Sequence, residues 1–185
     1  PLHTGIDISE ALAGKLTGQV YRWSPGDSGL TPVQGTEMPY ANGIEVSDDG
    51  QEFYVASSGQ FAVIAFSNTN PARLLRTTET LDIIPDNLHM GRNGKLVTAG
   101  LKVEDSHCGR VIQSEEFNLE AFASCPRPFT VWSIDPQTMK GGTLASGPAN
   151  PNFSNITMAL EVADELWVGT FAGDRIAYRK MEQGD

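Results

Sequence analysis

A pattern of strand, turn and strand recurs along the chain and limits the folds that it can adopt. In the first copy, residues 39–58, an apolar strand with an asparagine near its start leads into Asp48-Asp49-Gly50, and a second strand returns. Asp and Asn tolerate turn conformations and Gly readily adopts positive φ, so these three residues predict a tight hairpin. Residues 84–100 and 156–170 repeat the pattern.

The spacing of these copies indicates the repeating unit. Asn42 and Asn87 occupy equivalent positions in the first two copies and are 45 residues apart. A four-stranded propeller blade has about this length. Many short runs of Val, Ile, Phe, Tyr and Trp, with 19 Gly and 11 Pro, also favour an all-β chain. We therefore predict antiparallel four-stranded blades.

The pattern divides the chain into parts of a single partial propeller domain. We assign the outer strands of an incomplete blade to residues 1–38, a complete blade to 39–80, a blade with an insertion at 102–127 to 81–147, and a last blade without its closing strand to 148–185. About three blades are too few for a ring, and closure is what removes exposed sheet edges. We expect the missing half as another segment, with a second copy as the alternative.

Charge and hydropathy exclude some classes of partner. The formal net charge is -10, and no cluster of Lys and Arg is present to neutralise phosphates, so nucleic acid is not expected as a partner. No apolar run approaches the roughly 20 residues that a transmembrane helix needs. The compartment stays open, with secretion or the periplasm favoured and the cytosol as the alternative.

Both cysteines of the chain lie in the insertion at 102–127. Cys108 and Cys125 can close this loop as a disulfide, or remain free thiols in a reducing compartment. An insertion between the second and third strands of a blade lies at one rim of a propeller, where loops often cover a site. The insertion therefore either shapes the entrance to a site or is a surface loop without such a role.

Three polar residues on the inner strands suggest a cation site. Asn42, Asp86 and Asn87 are predicted at the start of adjacent inner strands, where they would converge near the central axis. Amide and carboxylate oxygens suit Ca²⁺, which takes six to eight ligands. Asn-Gly and Asp-Asn are also ordinary turn pairs, and the common register of the repeats is what favours the metal. Zinc is disfavoured, because the three histidines, His3, His89 and His107, lack ligand spacing.

At residues 40–56 and 85–88 the sequence resembles the six-bladed calcium-dependent hydrolases: paraoxonase/arylesterase, gluconolactonase and regucalcin, with strictosidine synthase as a relative. Residues 18–25 and 166–178 resemble paraoxonase in the same order. The resemblance implies a six-bladed β-propeller, of which this chain supplies about three blades from the C-terminal half. It also implies a calcium-dependent hydrolase of lactones or esters.

The resemblance further implies roles for individual residues. Asn42, Asp86 and Asn87 match ligands of the catalytic calcium. Substrate contacts are implied for three pocket-wall positions, Leu101, Thr157 and Phe171, although packing between blades explains them equally well. The remaining ligands and the general base have no match and are expected outside the chain. His89 follows Asn87 by two residues, and we expect a buried, hydrogen-bonded histidine there rather than a catalytic one.

Two other functions are compatible with this sequence. A strictosidine-synthase-like enzyme would use the same pocket without a metal, and Pro85-Asp86-Asn87-Leu88 is typical of that branch as well. A propeller used only for binding is the second alternative. Calcium dependence would distinguish the hydrolase from the strictosidine-synthase-like enzyme, and turnover would distinguish either enzyme from a propeller used only for binding.

Overall fold

The computed structural model describes residues 8–111 and 119–181. Two short helices, α1 (Ile8–Leu12) and α2 (Leu119–Ser124), accompany strands that make up a little under half of this part of the chain. The strands are β1 (Tyr21–Arg22), β2 (Thr31–Pro32), β3 (Ala41–Val46), β4 (Glu52–Ser57), β5 (Ala62–Ser67), β6 (Leu74–Thr77), β7 (Ile83–Met90), β8 (Leu96–Lys102), β9 (Glu104–Asp105), β10 (Gly109–Arg110), β11 (Phe129–Ile134), β12 (Gly141–Gly147), β13 (Ile156–Val162), β14 (Glu165–Thr170) and β15 (Ile176–Lys180).

The longer strands form three antiparallel sheets. Two are four-stranded, with orders β3-β4-β5-β6 and β7-β8-β11-β12, and the third has the order β13-β14-β15. Strands β1 and β2 pair with each other, and so do β9 and β10 within the insertion. Both β3 and β13 lie against β7, so each sheet contributes its first strand to one inner layer. The predicted all-β fold is confirmed, and the arrangement is that of a partial β-propeller.

The hairpin turns have the backbone geometry that the sequence predicts. Gly50 has a φ of 68°, and its amide donates to the carbonyl of Ser47 at 2.8 Å. Asn93 and Gly94, in the turn between β7 and β8, both have positive φ, of 62° and 66°, a conformation that Asn and Gly tolerate. Ala163 has a φ of 52° at the third turn. Local residue chemistry therefore sets where the inner strands reverse.

Apolar side chains fill the space between neighbouring sheets. One cluster, with Tyr54 and Val63 on the first sheet and Leu88 and Leu96 on the second, joins those two sheets. A second cluster joins the second sheet to the third, and a third packs residues 20–38 against the first sheet. Strand β5 is buried at every position, which explains its nearly continuous apolar sequence. Packing between the sheets thus places the three inner strands next to one another.

The first and second sheets approach most closely at Gly43 on β3. A Cβ atom built on Gly43 would lie 2.3 Å from the carbonyl oxygen of Asp86 and 2.5 Å from the amide nitrogen of Leu88. Contacts this short do not occur between real atoms, so only glycine allows β3 to lie this close to β7. The contact brings Asn42 next to Asp86.

We predict that Gly43→Ala destabilises the protein by about 1–3 kcal/mol, because the added methyl group must push β3 away from β7. Urea unfolding followed by circular dichroism measures this difference. Gly142→Ala is the matched control, since a Cβ at Gly142 on β12 meets no atom within 4 Å. The control should change the free energy of unfolding by less than about 0.5 kcal/mol. Equal effects of the two variants would contradict a tight contact at Gly43.

Candidate functional site

The three inner strands are irregular at the same level. The pairing register shifts between Ala41 and Ile44 on β3, between Pro85 and Leu88 on β7, and between Ile156 and Met158 on β13. Such β-bulges turn side chains away from the regular alternation and are frequent beside active sites. The residues inside the shifts are Asn42 and Gly43, Asp86 and Asn87, and Thr157.

These bulges correct one detail of the sequence prediction. Asp86 and Asn87 were expected at the start of their strand, but β7 already begins at Ile83. Residues 83–85 also pair with β8, so the β-bulge at Asp86 and Asn87 lies in the middle of the strand. Both side chains still reach the site, because the bulge re-aims them.

The structure brings together the three residues predicted to bind a metal. Asn87 donates from Nδ2 to Oδ1 of Asp86 at 3.3 Å and to the carbonyl oxygen of Thr157 at 3.2 Å. The amide of Asn42 lies close enough to Asp86 to lower the pKa of its carboxyl. The backbone carbonyl of Asn87 accepts a hydrogen bond from Thr98 Oγ1 at 2.9 Å, which anchors the bulge to β8. Asp86 therefore lies between two amides that belong to different strands.

The environment of Asp86 disfavours its negative charge. Burial raises the pKa of its carboxyl from 3.8 to about 6, while the amide of Asn42 acts in the opposite direction. Among the ion pairs formed by the described residues, none involves Asp86. A carboxylate buried without a cationic side chain is a group that a bound cation would stabilise.

Two further residues beside Asp86 were missed by the sequence prediction. Ser58 is buried; its hydroxyl accepts a hydrogen bond from Asn42 Nδ2 at 3.3 Å and donates to the carbonyl of Pro85 at 2.6 Å. Tyr40 has a positive φ of 49°, and its carbonyl accepts from the amide of Ser58 at 3.0 Å. Burial, followed by the charge of Asp86, raises the pKa of the Tyr40 phenol, which therefore stays protonated. Nothing in their local sequence distinguishes these residues from ordinary strand and turn positions.

Asp86 lies in the wall of a pocket of about 250 Å³. The predicted substrate-contacting residues Leu101, Thr157 and Phe171 line the same pocket, which agrees with their predicted place but does not test substrate contact. The remaining lining residues are Ile8, Leu12, Tyr40, Ser58, Ile84 and Phe122. The pocket is therefore mostly apolar, with its polar groups on and around the inner strands.

The insertion at 102–127 contributes to this pocket through helix α2. Phe122 on α2 stacks on Phe171, with the ring centroids 6.3 Å apart. The structure joins Cys108 and Cys125 in a disulfide, with a Cα–Cα distance of 5.9 Å. The sequence of the insertion also predicts a helical turn at 114–122. Residues 114–118 lie outside the described part of the chain, and α2 covers residues 119–124.

A buried arginine connects the insertion to the blade. The guanidinium of Arg127 donates to the carbonyl oxygens of Lys102, Cys108 and Gly109 at 2.8–3.3 Å and lies 5.7 Å from the ring centroid of Phe122. The backbone amide of Arg127 also donates to Asn155 Oδ1 at 3.1 Å. One guanidinium thus binds three backbone carbonyls of the loop, and these hydrogen bonds order the loop beneath Phe122.

The donor set around Asp86 fits a hard cation. The amide nitrogen of Asn87 donates to Asp86 and to Thr157, and that of Asn42 donates to Ser58. A half-turn of each amide would present its oxygen to a cation, in exchange for these hydrogen bonds. Within residues 8–111 and 119–181, no group of three or more His, Cys, Asp and Glu side chains is arranged to hold a metal. A set of one carboxylate and two amides therefore suits calcium better than zinc.

The histidines do not join this set. His89 Nε2 is buried and has no hydrogen-bond partner in the described part of the chain, so the hydrogen bond that we expected at this residue is not formed at that nitrogen. Leu88 fills the core between the first two sheets, and His89, as the next residue on β7, points to the opposite side of the strand. His107 is exposed on the insertion, and His3 lies outside the described residues.

Stacked antiparallel sheets, with a polar cluster at the bulges of their inner strands, define a partial β-propeller. The sequence profile described as SMP-30/Gluconolactonase/LRE-like region matches residues 4–125. This match covers more than half of the chain, which therefore belongs to that family. No curated protein matches the chain.

Solved structures share the fold at low sequence identity. A luciferin-regenerating enzyme is 18% identical, with a TM-score of 0.56, and the alignment covers 91% of this chain and 53% of that enzyme. A putative 6-phosphogluconolactonase from Bacteroides uniformis is 12% identical, with a TM-score of 0.49 over 88% of this chain and 43% of the other. The periplasmic gluconolactonase PpgL of Pseudomonas aeruginosa is 14% identical, with a TM-score of 0.44 over 88% and 48%. The chain thus spans about half the length of these proteins.

Neither of the two described helices is long and apolar enough to cross a membrane.

We predict that Asp86→Asn stabilises the protein at pH 7.5 in the presence of chelator by up to about 3 kcal/mol. Because the pKa in the folded state, about 6, lies above the ordinary value of 3.8, the folded protein loses stability as the pH rises through 6. The amide carries no charge and avoids this loss. At pH 4 the difference between variant and parent should nearly vanish.

Thermal or urea unfolding at both pH values measures this effect of Asp86→Asn. Asp48→Asn is the control, since Asp48 is an exposed carboxylate in a hairpin turn. A stabilisation by Asp86→Asn that is equally large at pH 4 and pH 7.5 would show that charge is not its cause.

Loss of the disulfide should destabilise the protein by about 2–4 kcal/mol, because the bond closes a loop with a sequence separation of 17 residues in the unfolded chain. Urea unfolding with and without dithiothreitol measures the loss. The double variant Cys108→Ser and Cys125→Ser should match the reduced parent protein and show no further response to the reductant. A response of the double variant would assign the effect to something other than this bond.

Proposed function

We propose that the protein hydrolyses lactones or esters in a calcium-dependent reaction at Asp86. The observation that carries this proposal is the half-buried Asp86 carboxylate beside Asn42 and Asn87, at the wall of a pocket large enough for a small molecule. Membership of the SMP-30/gluconolactonase family supports the lactonase class.

The three metal-site residues would each supply one oxygen. Asp86 is ionised above pH 6 and provides the only charge of the set, while Asn42 and Asn87 provide neutral amide oxygens from two neighbouring strands. A calcium ion bound there would polarise the substrate carbonyl and stabilise the negative charge that develops on its oxygen. Because the ion would bridge β3 and β7, its affinity depends on the close contact of these strands at Gly43.

Other residues of the pocket would bind and orient the substrate. Leu101, Thr157 and Phe171 are proposed to contact it, and the apolar wall would exclude water other than the attacking molecule. The phenol of Tyr40, whose pKa is raised by burial and by the charge of Asp86, stays protonated and can donate a hydrogen bond to an oxygen of the substrate. Ser58 holds the amide of Asn42 in place.

We propose that the general base and the remaining metal ligands belong to further blades, on another segment or on a second copy of the chain. Apolar side chains are exposed on the two outermost inner strands, with Ile44 and Val46 on β3 at 49% and 46% and Leu160 and Val162 on β13 at 37% and 45%. Faces of this kind pack against neighbouring blades in a closed propeller. Such a neighbour would complete the donor set on the exposed side of Asn42.

We predict that Asn87→Ala abolishes lactone hydrolysis at ordinary calcium concentrations and weakens calcium binding at least tenfold, because one ligand oxygen is lost. Calorimetric calcium titration and an assay with γ- and δ-lactones, with and without chelator, test this on the protein together with the blades that complete its propeller. Gln137→Ala, an exposed amide outside the pocket, is the control and should behave as the parent.

The outcomes of this experiment separate the competing functions. Chelator-sensitive turnover that Asn87→Ala abolishes supports the proposal. Full activity of Asn87→Ala with unchanged calcium affinity removes this residue from the site. Turnover without calcium binding would favour a metal-independent enzyme of the strictosidine-synthase type, and the absence of both would leave a binding propeller.

A further inference from the structure

We propose that the pocket at Asp86 accepts lactones or esters that carry an alkyl or aryl substituent, and that it selects against polyhydroxylated sugar lactones. This inference rests on the proposed function and names the substrate class of the same site. The volume of about 250 Å³ is near the lower end of the usual range for small-molecule sites, about 300–1,000 Å³. The chemical character of the pocket walls, rather than the volume, distinguishes the two classes of lactone.

The walls of the pocket offer few partners for hydroxyl groups. Six lining residues are aliphatic or phenylalanine, namely Ile8, Leu12, Ile84, Leu101, Phe122 and Phe171. A sugar lactone placed against them would leave its hydroxyl groups without hydrogen bonds, which is unfavourable in a buried site. An alkyl chain or an aromatic ring would instead gain from leaving water.

Two polar groups of the pocket are already engaged near the inner strands. The hydroxyl of Ser58 interacts with both Asn42 and Pro85, and the carbonyl of Thr157 accepts from Asn87. These groups therefore serve to arrange the cluster around Asp86 rather than to recognise several hydroxyls. One carbonyl group of a substrate fits this end of the pocket, and the rest of the molecule meets apolar walls.

Cationic side chains are absent from the described lining of the pocket. These residues include no Lys, Arg or His, and their only charged group is the carboxylate of Asp86. Arg127 packs against Phe122, but its terminal nitrogens donate to the carbonyls of Lys102, Cys108 and Gly109. Its guanidinium is therefore held by the loop and does not serve as a partner for the substrate.

The stacked pair of Phe122 and Phe171 forms the wall where the substituent would lie. Phe171 is 46% exposed, which places it at the mouth of the pocket, while Phe122 is half-buried. The rings are nearly parallel, at 16°, and Arg127 supports Phe122 through the insertion. A substrate that directs its carbonyl towards Asp86 would thus extend its substituent past these two rings.

Binding of lactams tests this inference without requiring hydrolysis, since a lactam has the ring shape of a lactone but resists cleavage. Calorimetry on the protein with calcium compares an unsubstituted γ-lactam, its butyl and octyl derivatives and a polyhydroxylated lactam. We expect affinity to rise about threefold to fourfold for each methylene until the pocket is filled. The polyhydroxylated lactam should bind at least tenfold more weakly than the octyl derivative.

Variants then locate the substituent. Phe171→Ala and Phe122→Ala should each weaken binding of the octyl lactam about tenfold and leave the unsubstituted lactam within about twofold. Phe171 is largely exposed at the mouth, so its replacement should not disturb folding. Tyr21→Ala is the matched control, because Tyr21 is an aromatic residue that is 50% exposed on β1, outside the pocket.

Two results would overturn the inference: stronger binding of the polyhydroxylated lactam, or an octyl preference that both phenylalanine variants retain. A preference for the octyl lactam together with no hydrolysis of the matching lactone would support the inferred ligand class and refute the proposed hydrolysis. Hydrolysis that is fastest for polyhydroxylated lactones would support the hydrolysis and refute the inferred class.

Discussion

The contact between β3 and β7 at Gly43 is the constraint on which the candidate site depends. Only a hydrogen atom fits between the α-carbon of Gly43 and the backbone of Asp86 to Leu88. The two strands come this close where both are bulged. A bulge turns polar side chains out of the regular alternation, and a close approach lets side chains from two sheets meet. Together these features place Asn42 beside Asp86.

The electrostatics of the site follow from this geometry. The inner strands carry Asp86 into a mostly apolar pocket, where burial raises the pKa of the carboxyl to about 6. The neighbouring amides of Asn42 and Asn87 compensate only part of the lost hydration. The site therefore contains a negative charge that the described residues leave without a positive partner, which is the arrangement expected of a protein site prepared for a cation.

The insertion adds a wall that the repeated blades do not provide. It is held at its base by the disulfide of Cys108 and Cys125 and by Arg127, whose contacts reach both the loop and Asn155 before β13. Phe122 is presented to the pocket as a result. A propeller can change its ligand in this way without altering its sheets, because the rim loops carry little of the packing between blades.

The sequence by itself determined the longer strands and the positions of the hairpin turns, because alternation of apolar residues and turn chemistry are local properties, whereas the bulges of the inner strands came only from the structure. It also indicated Asn42, Asp86 and Asn87, since repeats of equal length bring equivalent positions to one level. The roles of Ser58 and Arg127, and the burial of the Asp86 carboxyl, were decided only by the tertiary structure. Each depends on which atoms of distant segments surround the side chain, and no local pattern in a sequence records that environment.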